Sequence, residues 1–382
     1  MQRDPLKSLR VAINGGSIGG LCAGVALRGN GAQVDIYERI AGPMETRGAG
    51  IVVQPELTNL LEQFDATALP HTSCSSRRYL SPDGGDGHLQ PMPQQFTSWE
   101  AIYTTLRAAF PCAHYHAGAS ILSFETTANG IHIELSDKAR RSVDLVVCAD
   151  GAQSETRRRL LPEVVPRYAG YIAWRGSLPE SRAPVSLVSF LDDTFTFSDA
   201  RSGGHILVYF IPGPNADTTA GNRLLNWVWY VHAPETELPA LLTDKDGHRH
   251  HSSLPHGGAP EAAVAALGEH ARREIHPRMA ELVAATPDPF VQTIVDVVVP
   301  RTVFGRACLL GDAAFVVRPH TAGATAKAAS DSMFLSEALV EARGSVLQGL
   351  KAFESAEIEY GIQMYRYGVA LGNRWARPEA RV

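Results

Sequence analysis

A short apolar run, Leu9 to Ile13, leads into Gly15-Gly16-Ser17-Ile18-Gly19-Gly20 and then directly into Leu21-Cys22-Ala23-Gly24-Val25-Ala26-Leu27. This order predicts a buried strand, a turn too tight for large side chains, and a helix of small apolar residues. Such a turn aims backbone N–H groups and a helix N-terminus at one spot, which is what a dinucleotide pyrophosphate requires. Against Gly-x-Gly-x-x-Gly the matching positions are Gly15, Ser17 and Gly20, with Ile18 opening the helix. Serine stands at the middle glycine, adding a hydroxyl donor where the backbone is less free to approach. Gln33 to Glu38 (QVDIYE) reads as a second strand, completing a βαβ opening. Glu38 ends that strand and offers a carboxylate to the two hydroxyls of an adenosine ribose.

Two later strand ends carry similar chemistry. Val143 to Cys148 ends at Ala149-Asp150-Gly151, followed by Ser154 and Arg157, a pattern that also suits a turn and an N-capped helix. Arg306 to Leu310 ends at Gly311-Asp312-Ala313-Ala314, with Pro319 and Asp331 further on. A Gly-Asp strand end lets the backbone close on a ligand while the carboxylate takes hydroxyl hydrogen bonds. The small residues Ala322, Gly323 and Ala324 then allow a helix N-terminus to come close, where its partial positive charge favours an anionic ring edge.

The rest of the chain supplies a second texture. A helix is expected over Ser98–Phe110 and a hairpin over 120–135. β-type runs follow at Tyr171–Leu178, Val185–Phe190, Phe195–Ser198, Ile206–Ile211 and Leu225–His232, spaced like an antiparallel sheet. Aromatic residues on these runs, among them Tyr171, Trp174, Tyr209 and Tyr230, are candidates to wall a flat pocket, although most such rings simply fill a sheet face. A helical stretch runs from about Pro260 to Ala285, then a strand at Val291–Val299. Helices are expected from about Thr321 to Ala342 and from Ser345 to Leu371. The fold class expected is α/β: a Rossmann-like parallel sheet, an inserted and mainly antiparallel sheet, and C-terminal helices. The corresponding units are 1–165, 166–290, 291–345 and 346–382.

Three such motifs in this order resemble the single-component FAD-dependent aromatic hydroxylases of the p-hydroxybenzoate hydroxylase fold. The segments that carry the resemblance are GGSIGGL at 15–21, VDIYER at 34–39, GAGIVVQPEL at 48–57, YAGYIAWRG at 168–176 and GDAAFVVRPHTAGATAKAASD at 311–331. It implies that the glycine turn and Glu38 hold the adenosine of FAD, that Asp150 and Gly151 face FAD and NAD(P)H, and that Gly311 and Asp312 hold the ribityl chain. Trp99 stands near where relatives place an arginine toward the phosphates, so Arg39 and Arg47 are candidates for that cationic contact. Ala322-Gly323-Ala324 replaces the family's Gly-Gln-Gly.

The activity implied is hydroxylation of an electron-rich hydroxylated ring, a 2,6-dihydroxypyridine-like heterocycle or a related phenol. NAD(P)H would bind transiently and O2 would be activated as a flavin C4a-hydroperoxide. His320, beside Pro319, is the first candidate for a polar group on the substrate, with Arg175 and Tyr209 from the sheet. A reductase or halogenase on the same fold is the alternative.

Composition narrows the partners. Lys+Arg of 35 against Asp+Glu of 40 gives a formal charge of -5, unlike a basic nucleic-acid binder. No apolar run approaches the roughly 18 residues of a membrane span, and no signal peptide opens the chain, so a cytoplasmic enzyme is expected. The five cysteines form no C-x-x-C, arguing against zinc and dithiol chemistry. His248, His250, His251 and His256 lie in a Gly/Ser/Pro loop and read as solvated, so no metal is expected. A homodimer is one assembly that the resemblance allows.

Overall fold

A computed structural model describes residues 5–42, 44, 50–127 and 130–376. The opening forms as the sequence predicts: β1 (Arg10–Asn14), α1 (Ile18–Gly29) and β2 (Gln33–Glu38). β1 and β2 pair in parallel, with Ile13 opposite Ile36. α1 is apolar on nearly every side because it is covered twice, by the sheet and by the Ala324–Glu341 helix. The six-stranded sheet runs in the order Val303–Phe304, Ala307–Leu309, Leu145–Cys148, β1, β2, Tyr115–Ala117. All neighbours are parallel except the first pair. The three motif-bearing strands (β1, Leu145–Cys148 and Ala307–Leu309) are therefore adjacent, and their C-terminal ends open on one side.

The second layer is a nine-stranded sheet, antiparallel except where Thr194–Asp199 lies parallel to Thr72–Leu80. It does not arise from a single insertion. Gly50–Val52, Thr72–Leu80 and His88–Ser98 contribute three strands from within the first 165 residues. Phe290–Val298 and Phe315–Val316 contribute two more from beyond 290. The sheets thus do not divide at 165/166 or 290/291, and the chain crosses between layers repeatedly. A small meander, Ile121–Thr127, Gly130–Leu135 and Arg140–Val143, extends the expected hairpin by one strand.

Alternation of side chains along the strands sorts the aromatics. Trp174, Phe210, Trp227 and Trp229 bury on one face with Leu267 and Ala271 of Glu261–Glu274 and Met279 and Leu282 of Pro277–Ala285. Tyr171, Phe195, Tyr209 and Tyr230 belong to separate clusters on the opposite face. Two expectations fail locally. Val185–Leu191 is a helix, not a strand. Pro184 starts it, and the buried pair Leu187 and Leu191 is spaced by four, leaving Val185 81% exposed. The helical stretch to Ala285 is broken at Ile275–His276, where Pro277 restarts it and His276 Nδ1 accepts the Arg278 N–H (3.1 Å).

Candidate active site

The glycine turn is built for close approach. Gly15 takes φ +107°, a region that side chains resist, and a Cβ at Gly20 would lie 1.8 Å from the Gly15 carbonyl oxygen. Ser17 is the N-cap of α1 but makes no capping hydrogen bond through its side chain, so first-turn N–H groups are left for a ligand. Glu38 is buried, and its oxygens accept the Gly16 N–H (2.8 Å) and the Ile40 N–H (2.9 Å). Each oxygen keeps a further lone pair for a hydroxyl. The Tyr115 hydroxyl donates to the Gly16 carbonyl (2.9 Å), bracing the turn from below. Arg39 is exposed at the end of β2, whereas Arg47 lies outside the described residues.

Asp150 first serves its own loop. It accepts the Ser154 hydroxyl (2.6 Å) and the Thr156 N–H (3.0 Å), while Ser154 caps Glu155–Leu160 through the Arg157 N–H (2.9 Å). The capped-turn reading is therefore realised, and Gly151 with φ +79° faces open space. Buried Arg157 links this loop to the other strand end. Its guanidinium donates to the Ala152 carbonyl (2.6 Å) and to the carbonyls of Asp312 (3.2 Å) and Ala313 (3.1 Å).

At the Gly-Asp turn, the Gly311 N–H is taken by Asp331 (2.9 Å). Burial drives the Asp312 carboxyl up to about 6, and no described residue gives it a hydrogen bond. Ala322 adopts a left-handed conformation (φ +52°) usually left to glycine, and Gly323 precedes the helix that starts at Ala324. Beneath lies a buried charged triad: Lys327 Nζ donates to Asp331 (2.6 Å) and to Glu357 (2.6 Å).

His320 leaves the turn toward the aromatic face of the large sheet. Its Nε2 shares a hydrogen bond with the Tyr171 hydroxyl (2.9 Å), and its ring sits 4.2 Å from that of Tyr230. Burial, with Arg318 and Arg175 nearby, pushes the imidazole down to about 3, so it is neutral. Arg175 acts electrostatically on Tyr209, Tyr230 and His320, so the sheet brings all three sequence candidates together. Burial raises both phenols, Tyr230 to about 12, and keeps them as donors.

A family profile described as FAD binding domain-like matches residues 168–296, which hold five of the nine strands of the large sheet. The 2,6-dihydroxypyridine 3-monooxygenase of Paenarthrobacter nicotinovorans is 34% identical over 369 residues, covering 92% of this chain and 88% of its own. The chain belongs to the single-component FAD-dependent aromatic hydroxylases. The solved 2,6-dihydroxypyridine-3-hydroxylase from Arthrobacter nicotinovorans superposes with a TM-score of 0.88 at 31% identity, covering 98% of this chain and 95% of that one. A salicylate hydroxylase in complex with substrate shares the fold (TM-score 0.74, 17% identity, 98% of this chain and 91% of that one).

For an FAD-dependent hydroxylase the sequence left several residues without a role. Lys327 and Asp331 had a visible signal, an oppositely charged pair four apart in the small-residue first half of a helix. Arg157 had its place beside Asp150, but its bonds to Asp312 and Ala313 had no local signal, and Asn226 had none at all, since those partners are remote in the chain. The histidine-rich loop does have a carboxylate, Asp244, which bonds His250 (2.7 Å), yet no metal-ligating cluster occurs among the described residues. No helix among them is long and apolar enough to cross a membrane.

Proposed function

We propose that this hydroxylase acts on an ionisable, hydroxylated N-heteroaromatic ring of the 2,6-dihydroxypyridine kind, with O2 and NAD(P)H as cosubstrates. The observation that carries the reading is the sheet face on which Tyr209, Tyr230 and Arg175 meet His320. It is an aromatic wall bearing two protonated phenols and a guanidinium, suited to a flat ring with oxygens at its edge. The strong likeness to a relative with that substrate in its name points the same way.

FAD fits the three strand ends. The free first-turn donors at Ser17, Ile18 and Gly20 suit its pyrophosphate, and Glu38 the adenosine ribose, with exposed Arg39 beside it as the candidate cation for the phosphates. The unbonded Asp312 carboxylate suits the ribityl hydroxyls, and Gly323 and Ala324 the edge of the ring system. Asp150 and Gly151 form the lip between these. Bound FAD supplies electron transfer and oxygen activation. The chain supplies the rest. Tyr209 and Tyr230 donate to the substrate oxygens, Arg175 stabilises the negative charge on the ring, and neutral His320, held by Tyr171, offers a hydrogen bond to the substrate edge.

The test is NAD(P)H oxidation and O2 uptake by the holoenzyme, with and without 2,6-dihydroxypyridine, with product mass read in parallel. The expected result is stimulated turnover and a product one oxygen atom heavier. Oxidation without an oxygenated product would favour the reductase or halogenase alternative, and stimulation by unrelated phenols alone would reject the substrate.

A further inference from the structure

Asn226 is fully buried on the same sheet face, directly opposite Tyr209 in the antiparallel register. Its Oδ1 accepts the Gly50 N–H (2.9 Å), so the amide cannot be flipped and Nδ2 must present its two hydrogens elsewhere. No partner meets Nδ2 at full hydrogen-bond geometry, although the Tyr209 hydroxyl lies within hydrogen-bonding reach of the amide. Even a bond to Tyr209 would occupy only one of the two hydrogens. Arg175 pairs with Val228, two residues along from Asn226, so the two side chains are diagonal neighbours on one face. Arg175 Nε is likewise buried without a partner. Two adjacent buried donors with hydrogens left over are costly unless a ligand completes them. Gly50 matters to this geometry: a Cβ there would lie 2.7 Å from both Asn226 Nδ2 and Tyr209 Cε2. The edge strand Gly50–Val52 thus curls over the central strands and stays bare where it meets the amide.

We infer that Asn226 is a substrate-selecting donor that, beside Arg175, recognises an acceptor-rich ring edge, the adjoining oxygen and nitrogen of an ionised hydroxypyridine, over a hydroxybenzene of the same shape. The inference rests on the functional reading above and sharpens it. Arg175 answers the oxyanion that both rings share, whereas Asn226 answers the ring nitrogen that only one possesses. A site built around a hydrogen bond rejects the analogue that lacks it, because its own buried donor is then left unpaired.

The experiment titrates oxygen-free, oxidised holoenzyme with 2,6-dihydroxypyridine and with resorcinol, its carbon analogue, and follows the flavin absorbance. Wild type is expected to favour the pyridine by about tenfold or more. Asn226→Asp keeps the acceptor for Gly50 and removes the donor, and should bring that ratio below about threefold with the ligand-free flavin spectrum unchanged. Asn226→Ala is read in the same way should the aspartate variant not fold. Arg175→Met should weaken both rings together. An unchanged ratio in the Asn226 variants, or a ligand-free flavin spectrum that shifts in them, overturns the assignment. Wild type that binds both rings equally also overturns it, whereas wild type that ignores both rings sinks the functional reading itself.

Discussion

Burial holds the Asp312 carboxyl at about 6 against an ordinary 3.8. The folded, cofactor-free protein therefore binds this proton more tightly than the unfolded chain does. That contribution to stability is present below pH 3.8 and is lost as the pH rises through about 6. Hydroxyl donors from a ribityl chain reverse the preference, since they favour the charged carboxylate. FAD affinity, measured by fluorescence quenching, should then rise by about tenfold per pH unit up to pH 6 and flatten above it. Asp312→Asn should bind more weakly above pH 6 and lose that slope. The place of Asp312 at a buried strand end was legible because Gly-Asp after an apolar run is a local pattern. Glu38 was legible for the same reason, but its bonds to Gly16 and Ile40 were not, as they depend on how the strand end meets the turn.

The Ala324–Glu341 helix carries a cation where a helix packed on two sides normally carries none. Lys327 is 1% exposed, and Asp331 and Glu357 are fully buried. Burial and the neighbouring Asp331 push Glu357 well above the usual carboxylate range, which favours its protonated form. Removing the lysine leaves two carboxyl groups around an empty centre. Lys327→Met should cost about 3–5 kcal/mol in denaturant unfolding, whereas Glu357→Gln, which mimics the protonated acid, should cost far less. Helices and strands with one strong periodicity were readable from the chain, as α1, β1 and β2 attest. Val185–Leu191 is ambiguous in the sequence because V-S-L-V-S-F is a short, β-branched and aromatic run of strand length, while its burial follows a helical spacing. Thr72–Leu80 and His88–Ser98 carry no strand signal for another reason: the first is largely polar and only partly buried, the second is exposed over most of its length with Pro91 and Pro93 in it, and only pairing with distant strands identifies them.

Arg157 joins the two halves of the cofactor cleft, tying Ala152 to Asp312 and Ala313 across 155 or more positions in the chain. Arg157→Met should lose FAD on desalting and lower the melting temperature of the holoenzyme, with retention of bound flavin as the measurement. The architecture as a whole was legible in outline, because three strand ends recur with related chemistry. The crossings between layers were not, since strands from 50–98 and from beyond 290 join the large sheet through contacts that no local pattern announces. That sheet also settles how such a scaffold diversifies. Arg175 follows Trp174, Phe210 follows Tyr209, Trp227 follows Asn226 and Tyr230 follows Trp229, so each side chain proposed to face the substrate has a neighbour anchored in the hydrophobic interior. Drift in what the enzyme accepts and drift in how firmly it holds together fall on interleaved but separate sets of positions, and a lineage can revise the first while leaving the second alone.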